Sequence, residues 1–93
     1  CKILNISVDV FKERVIGTSI SEGLIAGVAN GLALNGFKPY AEFMFGDFTA
    51  LAFDQFINHA AKIYNMYNKK ITCPVVFRTP MGGKRGYGPT HSQ

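Results

Sequence analysis

Three side chains in this sequence have the chemistry to take part in a reaction or grip a ring. Glu22 is an acid beside two serines, Phe48 is an aromatic just after Gly46 and Asp47, and His91 follows a glycine-rich stretch. A carboxyl group can share or hold a proton, an aromatic face can stack on a planar heterocycle, and an imidazole can do acid–base work near neutral pH. Each also has an ordinary explanation. An acid at a helix start is favoured by the helix dipole, a phenylalanine is ordinarily core, and a loop histidine ordinarily faces water.

Other chemistries are excluded by spacing. Lys84 follows Gly83 but precedes Arg85, not Ser or Thr, so the loop is no phosphate-binding P-loop, and no G-x-G-x-x-G opens a helix. Cys1, Cys73, His59 and His91 lack the paired spacing of a zinc site, so no metal ligands are assigned. Ser21 and Ser92 have no histidine placed locally to activate them. Cys1 and Cys73 lie far apart without a disulfide framework, which favours a reduced, intracellular protein, although a bridge between them is conceivable.

The elements that must position these residues follow from periodicity. Residues 14–18 form a β-branched run that reads as a strand, and Ser21 caps a helix in which Leu24, Ile25, Val28 and Leu32 recur at helical spacing until Gly36. Gly23, Gly27 and Gly31 recur every fourth residue. Each costs about 1 kcal/mol relative to Ala inside a helix, so the stripe is expected to serve close packing against a neighbouring element. Residues 39–45 read as a buried strand, and Asp47 or Thr49 is placed to cap a second helix that continues to about Asn68. Residues 74–78 read as a third strand, broken by Pro80 before a loop containing Gly82, Gly83, Gly86 and Gly88. Strands alternating with helices predict a parallel sheet with helices on its faces. Ligands of such sheets bind beyond the carboxyl ends of the strands, where Glu22, Phe48 and His91 all fall.

Composition bounds the whole. Ninety-three residues, 47% hydrophobic and 17% charged, suit one small packed domain and exclude disorder. The first residue is not Met and the polar end closes no element, so the chain reads as a truncated part of something larger. No apolar run is long enough for a bilayer, so no membrane partner is expected. The net charge of +4 is uneven, because residues 55–93 carry six Lys/Arg and no acid. Those cations are spread, and a solvated face explains them without nucleic acid.

Six blocks in order carry a resemblance: RVIGTSISEG (14–23), AGVANGLA (26–33), AEFMFGDF (41–48), AFDQFIN (52–58), FRTP (77–80) and GPTHSQ (88–93). Together they resemble the pyrimidine-binding domain of thiamine-diphosphate enzymes, and most of all the beta subunit of the decarboxylating component of 2-oxo acid dehydrogenase complexes. Ser19 departs from the proline common among relatives. The resemblance implies an α/β fold of three layers, a parallel sheet with helices on both faces, occupying residues 1–93 as part of that domain.

It also implies roles. Glu22 is similar to the glutamate that hydrogen-bonds a ring nitrogen of the cofactor's aminopyrimidine, Phe48 to the aromatic that stacks on that ring, and Ile20 to the residue whose main chain faces it. His91 is similar to a histidine near the thiazolium and the substrate or lipoyl group. An apolar pocket of Ile20, Phe45 and Phe48 would favour proton sharing by Glu22.

The Gly-Asp-Gly and downstream Asn that hold magnesium and diphosphate in the superfamily are missing, so an alpha subunit is expected to supply them. A second beta subunit, a lipoyl-carrying acyltransferase and a 2-oxo acid are the other implied partners, in bacterial cytoplasm or the mitochondrial matrix. A transketolase-like or deoxyxylulose-phosphate-synthase-like enzyme and a non-catalytic basic binding module are the alternatives.

The missing diphosphate motif has a measurable consequence. One stacked ring contributes about 0.5–1.5 kcal/mol and one charge-assisted hydrogen bond about 1.5–3 kcal/mol. Against the cost of immobilising a ligand, the 93-residue chain alone should bind thiamine diphosphate no more tightly than about millimolar. Titration calorimetry with cofactor and magnesium checks this, and a micromolar dissociation constant would place a diphosphate site on this chain.

Overall fold

The computed structural model describes residues 11–84, 86 and 89–92. Cys1, Arg85, Gly88 and Gln93, which entered the sequence reading, lie outside the described residues. Helix α1 spans Glu22–Leu34, strand β1 Tyr40–Glu42, helix α2 Ala61–Met66 and strand β2 Val76–Arg78. A 3-10 turn at Lys12–Arg14 precedes α1. Between β1 and α2 the chain winds first as a 3-10 helix over Gly46–Ala52 and then as a π-helix over Gln55–Ala60.

Helix α1 begins and ends for local reasons. Ser21 has extended backbone, and its Oγ accepts from the Leu24 N–H at 3.4 Å, which satisfies one orphan donor of the first turn. At the other end Gly36 adopts φ +91, a conformation open to glycine at little cost. Its N–H donates to the Ala33 carbonyl at 3.1 Å while the Phe37 N–H reaches back to Leu32 at 3.0 Å, the two bonds of a Schellman motif. The same device closes α2. Asn68 takes φ 52, its N–H donates to Asn65, and the Lys69 N–H donates to the Tyr64 carbonyl at 2.7 Å.

Strands β1 and β2 pair in parallel, with Tyr40 opposite Val76, Ala41 opposite Phe77 and Glu42 opposite Arg78. A parallel pair needs a long crossover, and here the 3-10, π and α2 segments provide it. The core lies where that crossover and α1 meet the sheet. Ala26, Phe43 and Ala52 are buried together, with Ile25, Phe56 and Phe77 packed around them. Phe43 is 1% exposed, stacks on Phe77 at a centroid distance of 6.0 Å and meets Phe56 edge-on at 5.9 Å. The alanines Ala26, Ala29 and Ala33 form the buried stripe of α1, letting its backbone come close to its neighbours.

Several expectations are corrected. Residues 14–18 make no strand: Arg14 belongs to the 3-10 turn, and Val15 and Ile16 are exposed, because no described strand offers them a ladder. The strand expected over residues 39–45 is limited to Tyr40–Glu42 by the three residues of β2 that pair with it, and β2 itself falls short of residues 74–78. The single helix expected from Asp47 or Thr49 to Asn68 is helical throughout most of its length but changes pitch twice. Neither residue caps it; the Thr49 hydroxyl instead donates to the Gly46 carbonyl at 2.7 Å.

A polar network joins α1 to the π-helix. Asn30, buried in α1, donates through Nδ2 to the Gln55 carbonyl at 3.0 Å, and the Cys73 thiol approaches Asn30 Oδ1 at 3.7 Å. Burial pushes the Cys73 thiol pKa up. The glycine stripe faces this side only in part. A Cβ on Gly23 would lie 3.7 Å from the Leu51 carbonyl oxygen and one on Gly27 3.5 Å from Gln55 Oε1, whereas one on Gly31 would meet nothing within 4 Å. Neighbours therefore reach Gly23 and Gly27 at ordinary contact distance, leaving room for a methyl group but not for a long side chain. Gly31→Ala should stabilise the isolated chain by about 0.8–1 kcal/mol through helix propensity alone. Gly27→Leu should cost about 1–3 kcal/mol by displacing Gln55. Urea unfolding of the two variants, expected to move in opposite directions, measures both.

Candidate functional site

The three residues singled out by type arrive on three different segments. Glu22 is the first residue of α1 and is 6% exposed. Among the described residues no side-chain donor or cation reaches its carboxylate. Phe48 sits in the 3-10 helix Gly46–Ala52, which packs on α1, with Gly23 facing Leu51. His91 returns from the loop after β2.

The structure brings two of the three into direct contact. The His91 ring lies 5.6 Å from that of Phe48 and 4.5 Å from that of Phe45, edge-on to the latter at 80°. Phe45 and Phe48 also meet edge-to-face at 5.7 Å, so three aromatic rings form one cluster. The backbone holds it in place. The Asp47 N–H donates to the His91 carbonyl at 3.2 Å, and the Thr90 hydroxyl is hydrogen-bonded to His91 Nδ1. Glu22 stands on α1, which packs on the 3-10 helix that carries Phe48.

Ile20 does not join an apolar wall. It is 82% exposed, so the pocket expected from Ile20, Phe45 and Phe48 is reduced to the two phenylalanines with His91. Residues 11–20 are all exposed, and the Ile20 side chain lies in solvent. Glu22 owes its burial to the first turn of α1.

A cavity of about 280 Å³ opens beside the strand ends, lined by Phe43, Thr49, Phe56, Phe77, Arg78 and Thr79. The Thr79 hydroxyl is buried with no hydrogen-bond partner among the described residues. Arg78 Nε lies 2.9 Å from Glu42 Oε2, so one of the six cations of the basic half is matched by an acid. Lys62 donates to Asn58 Oδ1 at 2.7 Å on an exposed helical surface. Among the described residues no three His, Cys, Asp or Glu side chains gather as a metal site, and no helix is long and apolar enough to cross a membrane.

Sequence reasoning named Phe45 as a pocket wall but missed its contact with His91, the Glu42–Arg78 pair, and the seating of Met81 over Gly46, where a Cβ would lie 2.8 Å from Met81 Cγ. Only the tight turn after Phe45 signalled any of this. The ring cluster gives a direct check. With its ring centroid 4.5 Å from that of Phe45, the His91 imidazole should have its ring-proton signals displaced by the phenyl ring current, and Phe45→Leu should return them toward free-imidazole positions in the NMR spectrum. Unchanged signals would place His91 elsewhere.

Comparison with known proteins agrees with the order of the blocks. Residues 4–93 match the family model described as the transketolase pyrimidine binding domain. A mitochondrial protein of Caenorhabditis elegans named pyruvate dehydrogenase E1 component subunit beta is 44% identical over 81 residues, covering 87% of this chain and 23% of that protein. The Homo sapiens protein of that name is 46% identical over the same length and the same shares. The 2-oxoisovalerate dehydrogenase subunit beta of Bacillus subtilis is 44% identical over 82 residues, covering 88% of this chain and 25% of that protein. The chain thus spans about a quarter of the length of the curated relatives it matches. A match over nearly every residue, on a chain that folds with a parallel strand pair, means that the chain belongs to the transketolase pyrimidine-binding domain family.

Proposed function

We propose that this chain is the part of a 2-oxo acid dehydrogenase beta subunit that holds the aminopyrimidine end of thiamine diphosphate, in a three-layer fold. The observation that carries the reading is Glu22: a carboxyl group 6% exposed, at the head of α1, with no side-chain partner among the described residues. A carboxyl group in a largely buried position, with no described side chain bound to it, is open to a ligand that can share a proton with it. The aminopyrimidine ring nitrogen fits that requirement, and the half-buried face of Phe48 fits a planar ring.

Thiamine diphosphate, when bound, supplies the carbon nucleophile that adds to the keto carbon of a 2-oxo acid and accepts the electrons left when carbon dioxide departs. This chain's residues do the rest of what is proposed for it. Glu22 holds a proton at its Oε atoms against the ring nitrogen. Phe48 fixes the ring plane, and the main chain at Ile20 faces it. His91, held by the Asp47 N–H and by Phe45, presents its imidazole toward the substrate or the lipoyl group that takes the acyl product. An alpha subunit provides the diphosphate and magnesium contacts. A second beta subunit and a lipoyl-carrying acyltransferase complete the assembly, in the mitochondrial matrix or bacterial cytoplasm.

The test is at Glu22. In the assembled enzyme, Glu22→Gln keeps the shape and removes the shared proton, and general acid–base contributions of this kind are about 100- to 10,000-fold. Hydrogen–deuterium exchange at the thiazolium carbon should slow by that order. Exchange at the wild-type rate with cofactor bound would return Glu22 to a helix-start role.

A further inference from the structure

We propose that Arg78 is a positioning residue which, through its ion pair with Glu42, sets His91 against Phe45 and Phe48. The inference rests on the reading of His91 given above and concerns what holds it there. Glu42 and Arg78 are partners on the last rung of the parallel ladder, with Nε 2.9 Å from Oε2. The Glu42 side chain is only 14% exposed, whereas that of Arg78 is 53% exposed. The acid is the member that depends on the pair, because a largely buried carboxylate left alone moves toward water.

Beyond this rung one more bond forms, from the Phe43 N–H to the Arg78 carbonyl at 3.0 Å, and the two chains then part. Residues 43–48 turn into the 3-10 helix while residues 79–84 leave the ladder as irregular chain. They meet again at the site, where the Asp47 N–H donates to the His91 carbonyl and the His91 ring lies on Phe45. Between these ends Met81 covers Gly46. The loop that delivers His91 is therefore tied to the Phe45–Phe48 turn at its root, its middle and its tip. The root is the charged tie. Removing the guanidinium frees Glu42, opens the rung and lets the loop rotate about its remaining contacts, so that the imidazole loses its fixed place against the two rings.

The experiment uses the assembled enzyme carrying Arg78→Ala, His91→Ala and both together, with Arg78→Lys as the conservative control. Misplacing a group by about 1 Å can cost 100-fold, so Arg78→Ala should lower kcat by about 10- to 100-fold with KM for the 2-oxo acid nearly unchanged. Arg78→Lys should recover most of the loss. In the His91→Ala background Arg78→Ala should have no further effect, since both act through one imidazole. Multiplying effects, or no recovery with Lys, would overturn the proposal by showing a general loss of structure. Should Arg78→Ala fail to assemble, Glu42→Gln weakens the tie while leaving only the half-exposed guanidinium without its carboxylate, and must show the same non-additivity with His91→Ala.

The His91 ring-proton shifts of the histidine-labelled Arg78 variant separate this idea from the site reading. Shifts that stay at wild-type values overturn the brace. Collapsed shifts together with normal turnover in His91→Ala uphold the brace and overturn the catalytic reading of His91.

Discussion

The parallel pairing of Tyr40–Glu42 with Val76–Arg78 is the constraint from which the remainder of the structure follows. Parallel strands cannot be joined by a tight turn, so the intervening chain must leave one end of the ladder and come back to the other. That requirement sends the 3-10, π and α2 segments across the sheet and brings Phe56 onto Phe43 and Phe77. It also directs both strands' exits to the same end. The loops that carry Phe48 and His91 then have no choice but to be neighbours.

Close packing of small residues makes the arrangement compact enough for so short a chain. Ala26, Ala29 and Ala33 give α1 a smooth buried face, and among the described residues the one large side chain buried completely is Phe43. Phe56 and Phe77 pack around it. The helical crossover adapts to them. Its winding tightens at Gly46–Ala52 and widens at Gln55–Ala60, where Asn30 donates to the Gln55 carbonyl. A π segment of this kind commonly marks a place where packing or function overrides the regular ladder.

At the strand ends, polar and aromatic contacts do different work. The Glu42–Arg78 pair and the Asp47–His91 hydrogen bond fix where the two loops run, whereas Phe45 and Phe48 decide which face of the imidazole is covered. Glu22 is the first residue of a helix whose start is set by Ser21. Among the described residues no side chain is bound to its carboxyl group, although the residue is largely buried.

The sequence by itself determined the features that depend on neighbouring residues. Ser21 as a cap, Gly36 and Asn68 as helix ends, the helical spacing of α1 and the parallel α/β order were all legible, because each rests on backbone conformations and short hydrogen bonds within a few residues. The ordered blocks also identified the family. Tertiary structure alone decided the rest. Residues 14–18 have the composition of a strand, yet no described strand lies beside them, and Ile20 is apolar but has no surface to rest on. Whether Asp47 or Thr49 caps a helix depended on how the turn after Phe45 is held, and Phe45 itself gained its role from a histidine far along the chain. Those outcomes are set by long-range pairing, and a one-dimensional pattern carries no information about which side chains the ladder will bring together.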